Sequence, residues 1–294
     1  MSIEIGNASL SLMTIPETGG ALTRFDWLRD GARVPVFRPA SETTIAEQGL
    51  LAAAMFPMVP FVNRIPGNVL TAGDQRYAIT PNFDEPWALH GCGWQMPWTV
   101  EASTADSLTL GLEVDGKSFA FPFLARQIFS LDGKALVAAI EVRNTGRETV
   151  PIGFGFHPYL PLGNTTLRFE AEFFWLEGPG YLPTDAISIP PELSFDVARP
   201  VPQRWRNNCY TGWNGKALVG QPELGYDLTI EADPVFTDLM LFTAGDGETF
   251  ALEPQTNTVA AVSTARTEPR QNPMRLLEPG DTLAGSCRFA VIPH

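Results

Sequence analysis

The sequence predicts an all-β protein, a large antiparallel β-sandwich that forms a single domain over residues 1–294. Apolar residues recur with a period of two far more often than with the period of about 3.6 that helices show. Turn residues interrupt this pattern at short intervals, with 26 glycines and 26 prolines spread along the chain. No internal repeat of about 20 to 50 residues is present, which argues against propellers and solenoids. A composition that is 44% hydrophobic can fill the core of one such sandwich.

Nine alternating segments are predicted strands, and they run through the chain in the order 9–15, 77–79, 108–114, 128–131, 134–142, 226–232, 239–243, 250–253 and 286–292. The fourth and fifth form a predicted hairpin, because Asp132-Gly133 between them readily adopts the positive φ angles of a type I′ turn. The proline-rich stretch 183–202 also carries large apolar residues. It is therefore predicted to be an ordered excursion and not a linker.

Charge and hydropathy narrow the possible partners. The 33 acidic and 20 basic residues give a net charge of −13, which would repel a nucleic-acid backbone or an anionic membrane surface. The longest apolar stretch, residues 50–62, is broken by Pro57 and Pro60 and is too short to cross a bilayer, so it is predicted to be a core segment. Neither nucleic acid nor membrane is expected as a partner.

The first residues and the cysteines indicate the compartment. The first residues lack a basic segment followed by an apolar one, so no secretory signal is expected. Cys92, Cys209 and Cys287 are odd in number and show no CxxC spacing, which is typical of reduced thiols that pack in the interior and not of a disulfide or zinc site. A cytoplasmic protein is predicted.

Two of the three histidines occur in glycine- and aromatic-rich stretches. His157 lies in Gly-Phe-Gly-Phe-His-Pro-Tyr, where the following proline favours an extended backbone and suits a histidine at the end of a strand. His90 lies in Leu-His-Gly-Cys-Gly-Trp. An imidazole can act as general acid or base near neutral pH, but a histidine packed among aromatic rings is the structural alternative. By itself, neither motif decides between the two.

Two charged residues are further candidates. Glu253 in Leu-Glu-Pro-Gln-Thr follows an apolar strand, whose end would hold the carboxylate partly desolvated at a sheet margin, ready to act as a base. A surface glutamate is the alternative. Arg64 in Asn-Arg-Ile-Pro-Gly is consistent with a turn cap as well as with a ligand contact. The tryptophans are predicted to be core residues and not ligand platforms, namely Trp94, Trp98, Trp175 and Trp213.

Taken in order, Asn-Arg-Ile, Leu-His-Gly, His-Pro-Tyr and Glu-Pro-Gln-Thr resemble the signature segments of the aldose 1-epimerase (galactose mutarotase) family. The likeness runs from Gly19-Gly20 to the Leu-Glu-Pro-Gly-Asp turn at residues 277–281, nearly the whole chain. It implies a β-sandwich of the supersandwich type with an active-site cleft on one sheet face, and no cofactor. The expected partner is a small-molecule sugar, and the protein is expected to be a monomer or a homodimer.

The resemblance also implies roles for individual residues. Glu253 matches the general base of the family and His157 its general acid, while Asn63, Arg64 and His90 match positions that hold or polarise the sugar. Interconversion of α- and β-aldoses requires a proton to leave the C1 hydroxyl while the ring oxygen gains one. A carboxylate suits the first task, and an imidazolium stabilised by that carboxylate suits the second. No metal is needed for this chemistry.

One residue differs from the pattern of the family at a position that contacts the substrate in many relatives. Many relatives carry an aspartate that accepts hydrogen bonds from sugar hydroxyls, and Asn207 takes that place here, ahead of Tyr210 and Gly212-Trp213. An uncharged amide discriminates hydroxyl configuration differently from a carboxylate. The chain therefore resembles a divergent branch of the family, without an assured preference for galactose.

Three other functions share parts of this pattern. A hexose-6-phosphate 1-epimerase needs an arginine cluster for the phosphate, for which the sequence offers Arg64, with Arg126 and Arg206 as further candidates. A non-catalytic sugar-binding or regulatory protein could keep the same cleft, although Glu253 and His157 are both in place. A cupin-like metal isomerase needs a His-x-His pair, which the sequence lacks.

Overall fold

Strands make up most of the computed structural model, which describes residues 2–245, 247–261 and 270–294. In the first half of the chain these are β1 (Ile3–Gly6), β2 (Leu10–Ile15), β3 (Ala21–Arg29), β4 (Ala32–Pro35), β5 (Met55–Met58), β6 (Arg64–Ile65), β7 (Val69–Ala72), β8 (Gln75–Ala78), β9 (Ala88–Leu89), β10 (Thr99–Ser103), β11 (Ser107–Val114), β12 (Phe123–Asp132) and β13 (Ala135–Asn144).

The second half continues with strands of similar length. They are β14 (Val150–Ile152), β15 (Gly155–Pro161), β16 (Thr166–Phe169), β17 (Phe173–Glu177), β18 (Pro183–Ser188), β19 (Arg199–Pro200), β20 (Arg206–Thr211), β21 (Lys216–Gln221), β22 (Tyr226–Ala232), β23 (Asp238–Thr243), β24 (Thr249–Gln255), β25 (Arg275–Leu277) and β26 (Thr282–Pro293). The helical elements of the described part of the chain are α1 (Glu42–Gln48) and five 3₁₀ turns, Leu50–Ala52, Pro66–Asn68, Gly93–Gln95, Pro179–Tyr181 and Pro191–Leu193.

Two large antiparallel sheets form the sandwich. The first has the order β1-β2-β3-β5-β15-β24-β23-β20-β17-β18, with β4 beside β3. The second has the order β10-β11-β12-β13-β26-β22-β21-β16-β19. Three two-stranded ribbons, β14–β25, β6–β9 and β7–β8, complete the set among the described residues. The prediction of a large antiparallel all-β sandwich is confirmed.

Side-chain alternation along the central strands separates the core from the functional face. Phe156 of β15 and Leu252 of β24 belong to the main core, where they join Phe289 of β26 from the other sheet. His157 and Glu253, their neighbours in sequence, therefore face the opposite side of the first sheet. That side has its own apolar cluster, drawn from the first sheet and the segments that cover it, Ile15, Ala21, Ile45, Ala53, Phe56, Met58, Val62, Leu89, Trp94, Tyr159 and Ala251.

All nine predicted strands overlap observed ones, but one turn differs. Asp132 pairs with Ala135, so the two residues at the hairpin turn are Gly133 and Lys134, and only Gly133 has a positive φ, 59°. This is the pattern of a type II′ turn, which needs glycine at its first central position, and not the predicted type I′. The register shifted by one residue because Asp132 remains in the ladder.

Other sequence predictions about packing are confirmed. The apolar stretch 50–62 is buried from residue 53 onward and contains β5. The proline-rich stretch 183–202 is ordered, with β18 and β19 at its ends. The four tryptophans predicted to be core residues are buried, and all three cysteines are free thiols. No helix of the described chain combines the length and apolar character needed to cross a bilayer.

Candidate active site

His157 and Glu253 lie side by side on neighbouring central strands. Gly155 pairs with Gln255 and Tyr159 with Ala251, so His157 and Glu253 occupy directly opposed positions. His157 Nε2 is 3.2 Å from Glu253 Oε1, and both side chains are almost fully buried. The expectation that each would lie at a strand end was wrong, because β15 and β24 continue through the proline that follows each residue.

Aromatic rings surround the His157 imidazole. Phe56 stacks against it with ring centroids 4.5 Å apart, and the Tyr159 ring lies 4.7 Å away. The Arg38 guanidinium covers Tyr159 at 3.8 Å from the ring centroid. His157 Nδ1 is buried and has no hydrogen-bond partner among the described residues. Packing therefore fixes the imidazole plane, while its Nε2 meets the carboxylate.

Burial favours the neutral form of both groups. It raises the pKa of Glu253 to about 8, although the hydrogen bond from Gln255 Nε2 and the positive charge of Arg64 act in the opposite direction. Burial lowers the pKa of His157 to about 3, and the positive charge of Arg38 lowers it further. Near neutral pH these shifts leave the pair with one titratable proton, on Glu253. The sequence argument placed this proton on His157. It expected Glu253 to be only partly desolvated, whereas the nearly complete burial of both side chains disfavours the charged pair.

His90 is tied to Asn63 by a reciprocal pair of hydrogen bonds. The Asn63 backbone N–H donates to His90 Nδ1 at 3.2 Å, and the His90 backbone N–H donates to the Asn63 carbonyl at 2.9 Å. Burial holds the pKa of His90 well below its usual value, and the positive charges of Arg64 and of His157 in its protonated form add to this. Because Nδ1 accepts, the single ring proton of neutral His90 lies on Nε2.

The backbone at these two residues is unusual. Asn63 and His90 have φ angles of 55° and 56°, in the left-handed region that non-glycine residues rarely adopt. Gly91 follows with φ of 71°, and a Cβ there would lie 1.9 Å from the Val59 carbonyl oxygen. This glycine is therefore required for the chain to pass close to β5 and to hold His90 beside the central pair.

Arg64 is held by an acidic residue that sequence reasoning missed. Its Nε and one terminal nitrogen donate to the two carboxylate oxygens of Glu85 at 2.5 and 2.7 Å, and both side chains are mostly buried. The only signal in the sequence was the position of Glu85 shortly before the Leu-His-Gly segment. The bidentate pair fixes the guanidinium and places a carboxylate in the site.

All six predicted site residues line one cavity of about 190 Å³. Its lining comprises Leu51, Asn63, Arg64, Phe83, Glu85, Leu89, His90, His157, Tyr159, Tyr181, Trp205, Asn207, Phe242 and Glu253. A larger cavity of about 820 Å³ beside α1 shares Leu51 and Phe83 but includes neither His157 nor Glu253. The smaller cavity is the candidate active site, because it joins the perturbed acid–base pair to polar side chains.

The structure distinguishes Asn207 from its neighbour. Asn207 lines the cavity, whereas Asn208 donates its side-chain amide to the Trp175 carbonyl at 2.9 Å. The two additional arginines considered for a phosphate are not in the cavity lining. Arg126 is on the second sheet and is bound to Glu101, while Arg206 belongs to β20 but does not line the cavity. Arg64 is thus the one cationic residue among the described lining residues.

Comparison with known proteins identifies the family. The family described as Aldose 1-epimerase matches residues 1–290. The chain belongs to the aldose 1-epimerase family. Among curated relatives of this aldose 1-epimerase family member, the uncharacterised protein YphB of Escherichia coli (strain K12) is 34% identical over 263 residues, 86% of this chain and 87% of that protein.

Solved structures of aldose 1-epimerase type show the same fold. A crystal structure from Escherichia coli K12, provisionally assigned as an aldose 1-epimerase, superposes with a TM-score of 0.90 at 29% identity and covers 100% of this chain and 99% of that chain. A galactose mutarotase-like protein from Clostridium acetobutylicum superposes with a TM-score of 0.87 at 17% identity, covering 100% and 95%. The predicted family and fold are confirmed, and the roles of individual residues stay predictions.

Proposed function

We propose that the protein interconverts the α and β anomers of a free aldose by general acid–base catalysis. The observation that carries this proposal is the buried contact between His157 Nε2 and Glu253 Oε1 at 3.2 Å. Burial lowers the pKa of His157 and raises the pKa of Glu253, so we assign the pair one titratable proton near neutral pH. Anomerisation needs one proton acceptor and one proton donor, because C1 bears both the hydroxyl that is deprotonated and the ring oxygen that is protonated.

The reaction then proceeds in two mirrored halves. Hydroxyls of the bound sugar hydrogen-bond to the carboxylate and the imidazolium, and the pair's proton moves from Glu253 to His157. Glu253 takes the proton of the C1 hydroxyl while His157 protonates the ring oxygen, so the C1–O5 bond breaks and an aldehyde forms. After rotation about the C1–C2 bond, the roles reverse and the ring closes on the other face. The pair ends with the one proton it began with.

The other polar residues of the cavity orient the sugar. Neutral His90 donates from Nε2, Arg64 donates from its guanidinium, and Asn207 both donates and accepts. Holding the reacting oxygens against Glu253 and His157 raises the fraction of productive poses. Glu85, which holds Arg64 through both carboxylate oxygens, fixes that donor in place.

A direct assay tests this function. Purified protein should accelerate the polarimetric relaxation of freshly dissolved α-aldoses over buffer without added metal, and a chelator should leave the rate unchanged. The panel should include common hexoses and pentoses. If the protein binds sugars but accelerates the relaxation of none of them, the proposed enzyme activity is wrong and the protein is a carbohydrate-binding or regulatory protein.

A hexose 6-phosphate fits this site less well than a neutral aldose. The lining cation Arg64 is already bound through two hydrogen bonds to Glu85, so a phosphate dianion would meet an occupied guanidinium and a nearby carboxylate. Turnover of glucose 6-phosphate in preference to glucose in the same assay would contradict this assignment.

The pH profile follows from the shared proton. Above the Glu253 pKa of about 8 the pair becomes a carboxylate beside a neutral imidazole, whose one ring N–H is too weak an acid to protonate the ring oxygen. We therefore expect kcat/KM to fall above about pH 8, about tenfold per pH unit, after subtraction of the buffer-catalysed rate at each pH. A rate that rises through pH 8 would show that the carboxylate acts without His157 as its acid. Circular dichroism at each pH serves as the control for unfolding.

Asn207 should influence which sugar is preferred. Asn207→Asp introduces a charged acceptor, which differs from a neutral one by about 1 kcal/mol, and we expect a several-fold change in the ratio of kcat/KM for glucose and galactose. Asn208→Asp is the control: it disrupts the bond to the Trp175 carbonyl, so it should lower thermal stability and leave the ratio unchanged. An unchanged ratio in Asn207→Asp would remove this residue from sugar recognition.

A further inference from the structure

The mouth of the cavity carries exposed aromatic side chains. Among the described residues, the large aromatic side chains classed as exposed are Phe83, Tyr181 and Trp205, and all three line this one cavity. Trp205 and Tyr181 remain 46% and 42% exposed. Exposed aromatic rings gathered at one place on a surface are typical of a binding site.

These rings are held in place. Trp205 Nε1 donates to Glu177 Oε2 at 3.2 Å, and the Trp205 ring packs edge-on against Phe242 with centroids 5.4 Å apart. Tyr181 lies 5.6 Å from Trp205, with the Arg64 guanidinium over its ring at 4.8 Å. The aromatic pair Tyr181–Trp205 is therefore a fixed surface next to the site, which reduces the entropy lost on binding.

The backbone gives a second, independent observation. Tyr181 has a φ of 60°, a left-handed conformation that is costly for a bulky residue. It ends the 3₁₀ turn Pro179–Tyr181, where Gly180 also has a positive φ of 67°. A strained backbone that presents an aromatic ring to solvent at the mouth of a site is expected where that ring has a binding role.

Cavity size and charge define the ligand. The cavity volume of about 190 Å³ lies below the roughly 300–1,000 Å³ of pockets for drug-sized ligands, so it suits one small ring. A second ring joined to the first would lie outside, against Trp205 and Tyr181. Glu85 and Glu177 near these rings, and the net charge of −13, oppose an anionic group there. A neutral pyranose offers C–H groups to the aromatic faces and hydroxyls to the carboxylates.

We propose that Tyr181 and Trp205 form a second sugar subsite, so that the preferred substrate is the reducing-end ring of a disaccharide or longer neutral oligosaccharide. The inference rests on the proposed function. The reducing ring occupies the cavity beside His157 and Glu253, and the attached ring stacks at the mouth. Binding energy from the attached ring then lowers KM or raises kcat for a reaction in which that ring is unchanged.

The test compares mutarotation of maltose, cellobiose, lactose and melibiose with that of glucose and galactose. We expect kcat/KM for at least one disaccharide to exceed that for its reducing-end monosaccharide by about tenfold. This is about the gain in binding that one aromatic contact and the area it buries provide. Trp205→Ala should lower this ratio by about the same factor, and Trp205→Phe should restore most of it. Leu276→Ala, an exposed apolar residue outside the cavity, should leave the ratio unchanged.

The outcomes separate the subsite from the chemistry. Disaccharide ratios near one, or a ratio that Trp205→Ala and Tyr181→Ala both leave unaltered, would overturn the subsite while monosaccharide turnover upholds the proposed function. Calorimetric binding of the same sugars to Glu253→Gln gives a readout without turnover. One outcome would support the subsite but contradict the epimerase function. No sugar would be turned over, yet the disaccharide would bind more tightly than the monosaccharide, and Trp205→Ala would abolish this difference.

Discussion

Replacing Glu253 with glutamine is expected to lower kcat by about a hundredfold or more while sugar binding survives. The substitution keeps the size of the side chain but removes the group that accepts the C1 proton. Because Glu253 is 2% exposed, no water can readily take over as the base. Polarimetry measures the rate, and calorimetry with the best substrate measures affinity.

Two controls make this result specific. Thermal unfolding of Glu253→Gln should remain near that of the parent, since burial already favours the neutral side chain and glutamine carries no charge. Glu113→Gln changes an exposed carboxylate on β11 of the other sheet and should leave kcat unchanged. Near-native turnover of Glu253→Gln would require another base, for which Glu85 is the carboxylate in the same cavity.

Replacing His157 with asparagine is expected to lower kcat by a similar factor, because an amide cannot give a proton to the ring oxygen. The smaller side chain also leaves space between Phe56 and Tyr159, so some loss of stability is expected and is measured separately by thermal unfolding. His294→Asn, a change in the last residue of the chain, should have no effect on turnover.

The double variant gives the sharper result. If Glu253 and His157 act as a unit, combining Glu253→Gln with His157→Asn should cost scarcely more than either change alone. Additive losses would mean that the two groups act in separate steps. Retained activity in His157→Asn would move the acid role to His90, whose ring centroid lies 5.3 Å from that of His157.

Local sequence patterns predicted the strands, but they did not predict that two prolines lie inside central strands. Alternation located β11, β13 and β24, since each has one face in the core between the sheets. Pro158 and Pro254 suggested strand ends, yet both lie within central strands. The paired residues recorded between β15 and β24 leave out the segment that contains the two prolines, so the missing N–H groups fall where the ladder is interrupted.

The family resemblance predicted part of the candidate site. The order of the family motifs predicted six site residues, and the fold places all of them around one cavity: Asn63, Arg64, His90, His157, Asn207 and Glu253. Glu85, Tyr181 and Trp205 were missed because they lie in turns and loops without periodicity. Their positions depend on long-range contacts, such as the Arg64–Glu85 pair and the packing of Trp205 on Phe242. The apolar strand before Glu253 predicted partial desolvation of its carboxylate, but the nearly complete burial of both His157 and Glu253 depends on tertiary packing.

The single proton shared by His157 and Glu253 has a consequence for where such an enzyme can work. In the proposed mechanism the pair has the same number of protons after each turnover as before it. The reaction therefore takes no net proton from the bulk solvent. Buffer identity and concentration then leave the catalysed rate untouched, unlike the spontaneous reaction. The pH of the solution then sets only how many sites carry the shared proton, and a site that carries it turns over without exchanging it with the buffer.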